Sequence, residues 1–227
     1  MHEKGRDWTK EAERFISDRY SLICNQPISI RPPLHDLEAQ YFLRGFEAGF
    51  FSIDQSGYVQ STMLPGPSGK NTKQKMMQLT WRVPRGWTLF REGVCQLATV
   101  SSLILRYGWR KEDISLEPTK REFKGLAYGV DILIRDGSSQ RICGEVKRDR
   151  SEFRRLVEGF RHCCREGSEH QKGQCKFHRN HSKYEFCKEF KPDYFFAVAP
   201  GEQICFKMAG LNIEQELPDL IYRDARV

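Results

Sequence analysis

Apolar and polar residues alternate with period two over 130–135 and again over 142–147. Val130, Ile132 and Ile134 are interleaved with Asp131, Leu133 and Arg135. Ile142, Gly144 and Val146 are interleaved with Cys143, Glu145 and Lys147. Asp136-Gly137-Ser138-Ser139 lies between the two runs, and alternation bounded by turn residues predicts strand, turn, strand. Both apolar sets carry even numbers, so placing them on one face requires a loop of odd length. A three-residue loop at Gly137-Ser138-Ser139 meets that condition. It sets Asp131 opposite Glu145, with Lys147 two residues on and on the same face.

Helical spacing governs much of the remainder. Trp8, Ala12, Phe15, Ile16, Tyr20 and Ile23 predict a helix over 7–23, stopped by Pro27 and Pro32-Pro33. Leu37, Tyr41, Phe42, Leu43 and Phe46 predict a second over 36–50. Residues 52–63 read as irregular or short strand, 65–75 as a basic surface connector, and 77–83 and 87–90 as strands around a break at 84–86. A third helix spans 91–107, its apolar face formed by Val94, Leu97, Ala98, Ile104 and Leu105. Then come a strand at 113–117, a loop at 121–125, the hairpin, and a helix over 151–165 with Phe153, Leu156, Val157, Phe160 and Cys164 as its stripe. A short helix over 182–190 and strands at 194–199 and 204–208 follow, and the tail from 211 reads as surface. The expected class is α/β, a mixed central sheet flanked by helices. A helical extension at 1–85 packs on a core at 86–227, which carries a Cys/His-rich insertion at 166–191.

Composition adds a bias towards anionic partners. The 227 residues are 39% hydrophobic and 12% aromatic, enough for a packed core, and the net charge is +7. The segment 141–191 holds 14 Lys and Arg against 8 Asp and Glu, so the excess follows the hairpin. Nucleic acid is the partner this favours, an ordinary basic surface the plainer reading. No apolar run approaches the roughly 18 residues of a membrane helix. Residues 1–10 lack the apolar core of a signal peptide. A cytoplasmic protein without a membrane partner is expected, its eight cysteines reduced or ligating metal. A homodimer is kept among the expected assemblies. Gly69-Lys70 lacks the spacing of a phosphate-binding loop.

Two carboxylates and an ammonium on one sheet face suit phosphodiester chemistry. Mg²⁺ is held by one or two carboxylates plus waters and phosphate oxygens. It polarises a phosphate and activates water, and a nearby lysine stabilises the developing charge. At Asp131, Glu145-Val146-Lys147 and the helix after them, the chain resembles the PD-(D/E)xK nuclease superfamily, with Val130 in place of the proline. The match covers the second half of the chain. Glu-x-Lys alone carries little: 122–124 and 189–191 repeat it without a same-face aspartate one strand earlier.

The resemblance implies a restriction-endonuclease-like core. It implies Mg²⁺ or Mn²⁺ held by Asp131, Glu145 and the Val146 carbonyl, Lys147 positioning or activating water, and hydrolysis of DNA. It also points to Glu92, in the first turn of its helix, as an auxiliary acid; complementing the helix dipole is the plainer role. Arg148, Arg150, Arg154 and Arg155 are candidate phosphate contacts, or a solvated helix face. Within the insertion, His170, Cys175, His178, His181 and Cys187 follow His162, Cys163 and Cys164. A Zn²⁺ site is one reading, from a set such as Cys164, Cys175, His178 and Cys187. Core packing of the cysteines, with His178 and His181 on phosphate or capping the short helix, is the competing reading. A non-catalytic nucleic-acid-binding module and a protein-interaction domain with a charged hairpin remain open.

Overall fold

The computed structural model describes residues 5–65, 77–118, 122, 129–135, 141–167, 171, 173, 175–178 and 180–223. The first half runs α1 (Trp8–Cys24), β1 (Ile28–Ser29), α2 (Asp36–Glu47), β2 (Ser52–Ile53), β3 (Val59–Gln60), β4 (Thr80–Val83), β5 (Gly86–Leu89) and α3 (Arg91–Leu105). After a 3₁₀ turn come β6 (Ile114–Leu116), β7 (Ile132–Arg135), β8 (Arg141–Val146), α4 (Arg150–Glu166), α5 (His181–Phe190), β9 (Tyr194–Ala199), β10 (Glu202–Ala209) and β11 (Asn212–Leu217). The basic connector lies almost wholly outside the described residues, as does the hairpin loop. No described helix is long and apolar enough to cross a membrane.

Six strands form the main sheet in the order β11-β10-β9-β8-β7-β6. Only β8 and β9 pair in parallel; the chain between them crosses over through α4 and α5. In the hairpin Ile132 faces Gly144 and Ile134 faces Ile142, the register that an odd-length loop demands. Both faces of the central strands β7, β8 and β9 are buried, which accounts for the apolar residues on the nominally polar side. Ile132, Ile134, Ile142 and Val146 join one core with α1, α2 and α3. Leu133 and Cys143 join the other with α4 and α5.

Between α2 and the sheet, α3 is buried around most of its circumference, from Gly93 to Ser101. A helix covered on two sides needs no polar face. Its Thr99 and Ser101 hydroxyls donate to the carbonyls of Cys95 and Leu97, at 2.7 and 2.9 Å, satisfying them without water. Leu105, expected on the apolar face, is 39% exposed at the helix end, while Val100 and Leu103 are buried.

Two boundaries differ from the sequence reading. The division at 85 falls inside the hairpin β4–β5, whose second strand also pairs in parallel with β1; the helices and the sheet share one core, so no cut there separates two units. The tail lies at the surface, as expected, but is ordered there. It forms β11, an edge strand on β10. Asp219 beyond it then bonds Tyr107 and Gln203 and pairs with Arg106 at 2.9 Å. The strand alternates weakly, with charged residues on an exposed edge, and so left little apolar pattern to read.

Candidate active site

The hairpin delivers its charged residues to the end of β8, beside the N-terminus of α4. The chain departs there from regular pairing. Asp131 N–H donates to the Gly144 carbonyl at 3.0 Å, although Gly144 is the register partner of Ile132. Two residues of one strand thus stand against one of the other, as in a β-bulge. Val130, expected beside Ile132, is consequently buried in the α4–α5 core. The Asp131 carboxylate takes over from the β7 backbone, accepting the Val146 N–H at 2.7 Å. The N–H and C=O of a strand residue point to the same side. The Val146 carbonyl therefore also looks towards the side that β7 has left.

Glu145 is 2% exposed and stands between two ammonium groups. Lys147 Nζ donates to Oε1 at 2.7 Å. Lys183 Nζ, from α5, lies 2.7 Å from Oε2 and donates to the Gly129 carbonyl at 2.9 Å. The Lys183 approach to Oε2 is an ion pair off the direction of a hydrogen bond, so among the described residues that buried oxygen has no hydrogen-bond donor. Burial and the adjacent Glu145 charge push the Asp131 carboxyl well above its usual range. Burial works against the Lys147 ammonium, but Glu145, Asp131 and Glu92 outweigh it and raise its pKa.

Glu92 and Gln96, one turn apart on α3, form the facing wall. Burial raises the Glu92 carboxyl, with Lys147 opposing and Glu145, Glu152 and Glu117 adding to the rise. Gln96 Nε2 donates to Glu117 Oε1 at 2.8 Å, and Glu117 N–H donates to the Asp131 carbonyl at 2.7 Å. Glu117 adopts φ +50°, a left-handed conformation that a non-glycine residue holds only under constraint. Sequence reasoning passed over Glu117 and Lys183. Lys183 carries no local signal, and only the crossover brings it to Glu145.

Two clefts share Glu152 as a lining residue. One of about 450 Å³ is lined by Lys147, Glu152, Arg155, Lys176, Phe177, His178 and Asn180. The other, about 360 Å³, has Glu92, Arg148, Asp149 and Glu152 on its wall with Trp81 and Arg31. Of the candidate phosphate contacts, Arg154 and Arg155 are exposed on α4. Arg148 pairs with Glu152 at 2.7 Å, and Arg150 pairs with Glu202. Asp149 caps α4, accepting the Glu152 N–H at 2.9 Å.

The expected zinc set is not brought together. Cys175 belongs instead with Cys163 and His181; these three form the only group of three or more His, Cys, Asp or Glu ligand atoms within 4.8 Å of one another among the described residues. Cys164 is one residue further along α4, at the end of the stripe begun by Phe153, and is buried in apolar packing. Cys187 is buried in the same core, and His178 is exposed. His170 lies outside the described residues. Compared with protein-family models, curated proteins and solved structures, the chain matches none.

Proposed function

We propose that this chain is a metal-dependent nuclease of the PD-(D/E)xK kind, built on a restriction-endonuclease-like core and acting on DNA. The observation that carries the reading is the Asp131 carboxylate on the Val146 N–H, beside a buried Glu145 paired with Lys147, at the mouth of a basic cleft. The run α3, β6, β7, β8, α4, β9, with α5 inserted before β9, has the element order expected of such a core.

The residues fit a divalent cation. Asp131 and Glu145 repel each other, both carboxylates are buried beside the backbone that β7 has left, and hard oxygen ligands suit Mg²⁺ or Mn²⁺. Asp131, Glu145 and the Val146 carbonyl would hold it. Bound there, the ion would supply polarisation of the scissile phosphate and acidification of water. Lys147, its pKa raised, stays an ammonium at neutral pH. It orients water and stabilises negative charge on phosphate and does not act as a base. Glu92, pushed up by burial, is the group on the facing wall suited to hold a proton. Arg155, Lys176 and His178 would line the path of a phosphate backbone, with Phe177 offering a face for a base.

A second reading rests on Lys183. Two ammonium groups on Glu145 already neutralise it, as in a nucleic-acid-binding module without catalysis. Plasmid and linear DNA, with RNA alongside, incubated with Mg²⁺, Mn²⁺ or EDTA, separate the two. Metal-dependent cutting by the wild type, abolished in Lys147→Ala and Glu145→Ala chains that still fold, supports the nuclease. Binding with no cutting under any metal sinks it in favour of the module.

A further inference from the structure

We infer that Cys163, Cys175 and His181 bind a structural zinc ion that fastens α5, and with it Lys183, against the sheet. The inference concerns a site separate from Asp131 and Glu145 and stands whether or not the chain cuts nucleic acid.

Three features of the trio point to a metal. The first is spacing. Cys163 Sγ lies 3.6 Å from Cys175 Sγ and 3.4 Å from His181 Nδ1. Around a tetrahedral zinc, with bonds of roughly 2.3 Å to sulfur and 2.0 Å to nitrogen, those edges are about 3.8 and 3.5 Å. A disulfide needs its sulfurs at roughly 2.05 Å. The second is the imidazole. His181 Nε2 is 3.0 Å from Glu185 Oε1, one turn along the same helix. A proton on Nε2 donated to that carboxylate leaves the Nδ1 lone pair facing the sulfurs, the arrangement that orients ligating histidines. The third is the sulfur environment: the Phe177 N–H donates to Cys175 Sγ at 3.3 Å, an outer hydrogen bond of the kind that orients a metal-bound ligand. Two thiolates and an imidazole are a donor set that suits zinc. The trio leaves one tetrahedral position to a further donor.

All three ligating residues are buried, which marks the site as structural. Cys163 stands in the last turns of α4, Cys175 in the segment between the helices, and His181 opens α5. The ion would therefore tie three pieces of the crossover at one point. Lys183 follows His181 by two residues and reaches Glu145. Lys176, Phe177, His178 and Asn180, on the tied segment, form one wall of the cleft at Lys147.

The test uses the full chain, purified under reducing conditions without chelator, with metal content measured by mass spectrometry. About one zinc per chain is expected. It should fall to background in Cys163→Ser and His181→Ala and persist in His178→Ala and Cys205→Ser. Should the ligand variants not fold, the wild type still decides. Cobalt substituted into it should show thiolate charge-transfer and tetrahedral d–d bands. Removing the ion with a chelator should lower its Tm, and Zn²⁺ but not Mg²⁺ should restore it. Three results overturn the site: wild-type protein that neither contains zinc nor is stabilised by it, zinc retained in both ligand variants, or a Cys163–Cys175 disulfide in freshly prepared protein. None of these readouts involves cleavage, so failure of the zinc site and failure of the nuclease reading are distinguishable.

Discussion

Asp131 and Glu145 sit side by side, yet their removal should have opposite effects on stability. The Asp131 carboxyl is raised by burial and by the Glu145 charge. A group whose folded pKa lies above its unfolded value favours the native state below the unfolded pKa and loses that contribution as pH rises through the folded pKa. At pH 7, above the unfolded pKa, the raised Asp131 carboxyl is therefore a burden on the native state. Asp131→Asn keeps an acceptor for the Val146 N–H and removes the charge. It should raise Tm at pH 7, by about 2–4 °C for each kcal/mol gained in a chain of this size. The gain should shrink towards zero in acid, where the wild-type carboxyl is itself protonated. Cutting should be lost at every pH, the usual opposition of stability and function at a charged site. Glu145→Gln leaves Lys147 and Lys183 facing each other without their shared carboxylate. Breaking a buried ion pair costs about 3–5 kcal/mol, and denaturant unfolding should register a loss of that order. A rise in stability for Glu145→Gln, or a fall for Asp131→Asn at pH 7, would refute this electrostatic account.

For the strand that carries Glu145, the decisive neighbour is one residue back. A Cβ built on Gly144 would stand 2.0 Å from Phe196 Cζ, because that ring lies across the glycine from the next strand, where the two are register partners. Glycine in a strand marks such a close approach. Gly144→Ala should therefore destabilise by about 1–3 kcal/mol or more, and Gly144→Ala combined with Phe196→Leu should recover part of it. Additive losses in that double-mutant cycle would mean that the ring is not the obstacle. The residue was visible in the alternating pattern as a gap in an apolar face. What filled the gap was not, because β9 arrives only after the crossover through α4 and α5.

On the scale of the whole molecule, the excess of positive charge becomes a binding surface only where the fold leaves it unpaired. Arg161 is committed to Glu216 on β11, at 2.8 Å through Nε. Arg155 and Lys176 line the cleft beside Lys147. Each phosphate contact removed should lower the slope of log K against log salt by about 1. Arg155→Ala and Lys176→Ala should each do so in a DNA titration across salt concentrations, and Arg161→Ala should leave the slope unchanged. Equal effects from all three would assign the affinity to overall charge instead of to this cleft.

Local order was legible in the chain because it has local causes. Period-two alternation determined the hairpin, and the parity of its apolar residues determined the register that pairs Ile132 with Gly144. Helical phase placed α1 to α4 within a few residues. Where residues distant in sequence must meet, no periodicity applies. The irregular step at Asp131 that turns its carboxylate onto Val146 depends on the end of β7 lying between β6 and β8. The arrival of Lys183 at Glu145, the meeting of Cys163 with His181, and the pairing of β11 at the sheet edge depend on how the crossover and the tail pack. The acidic and basic residues of the site were thus chosen by the sequence, while their partners were decided by tertiary packing, since a contact between remote segments forms only when the core between them closes.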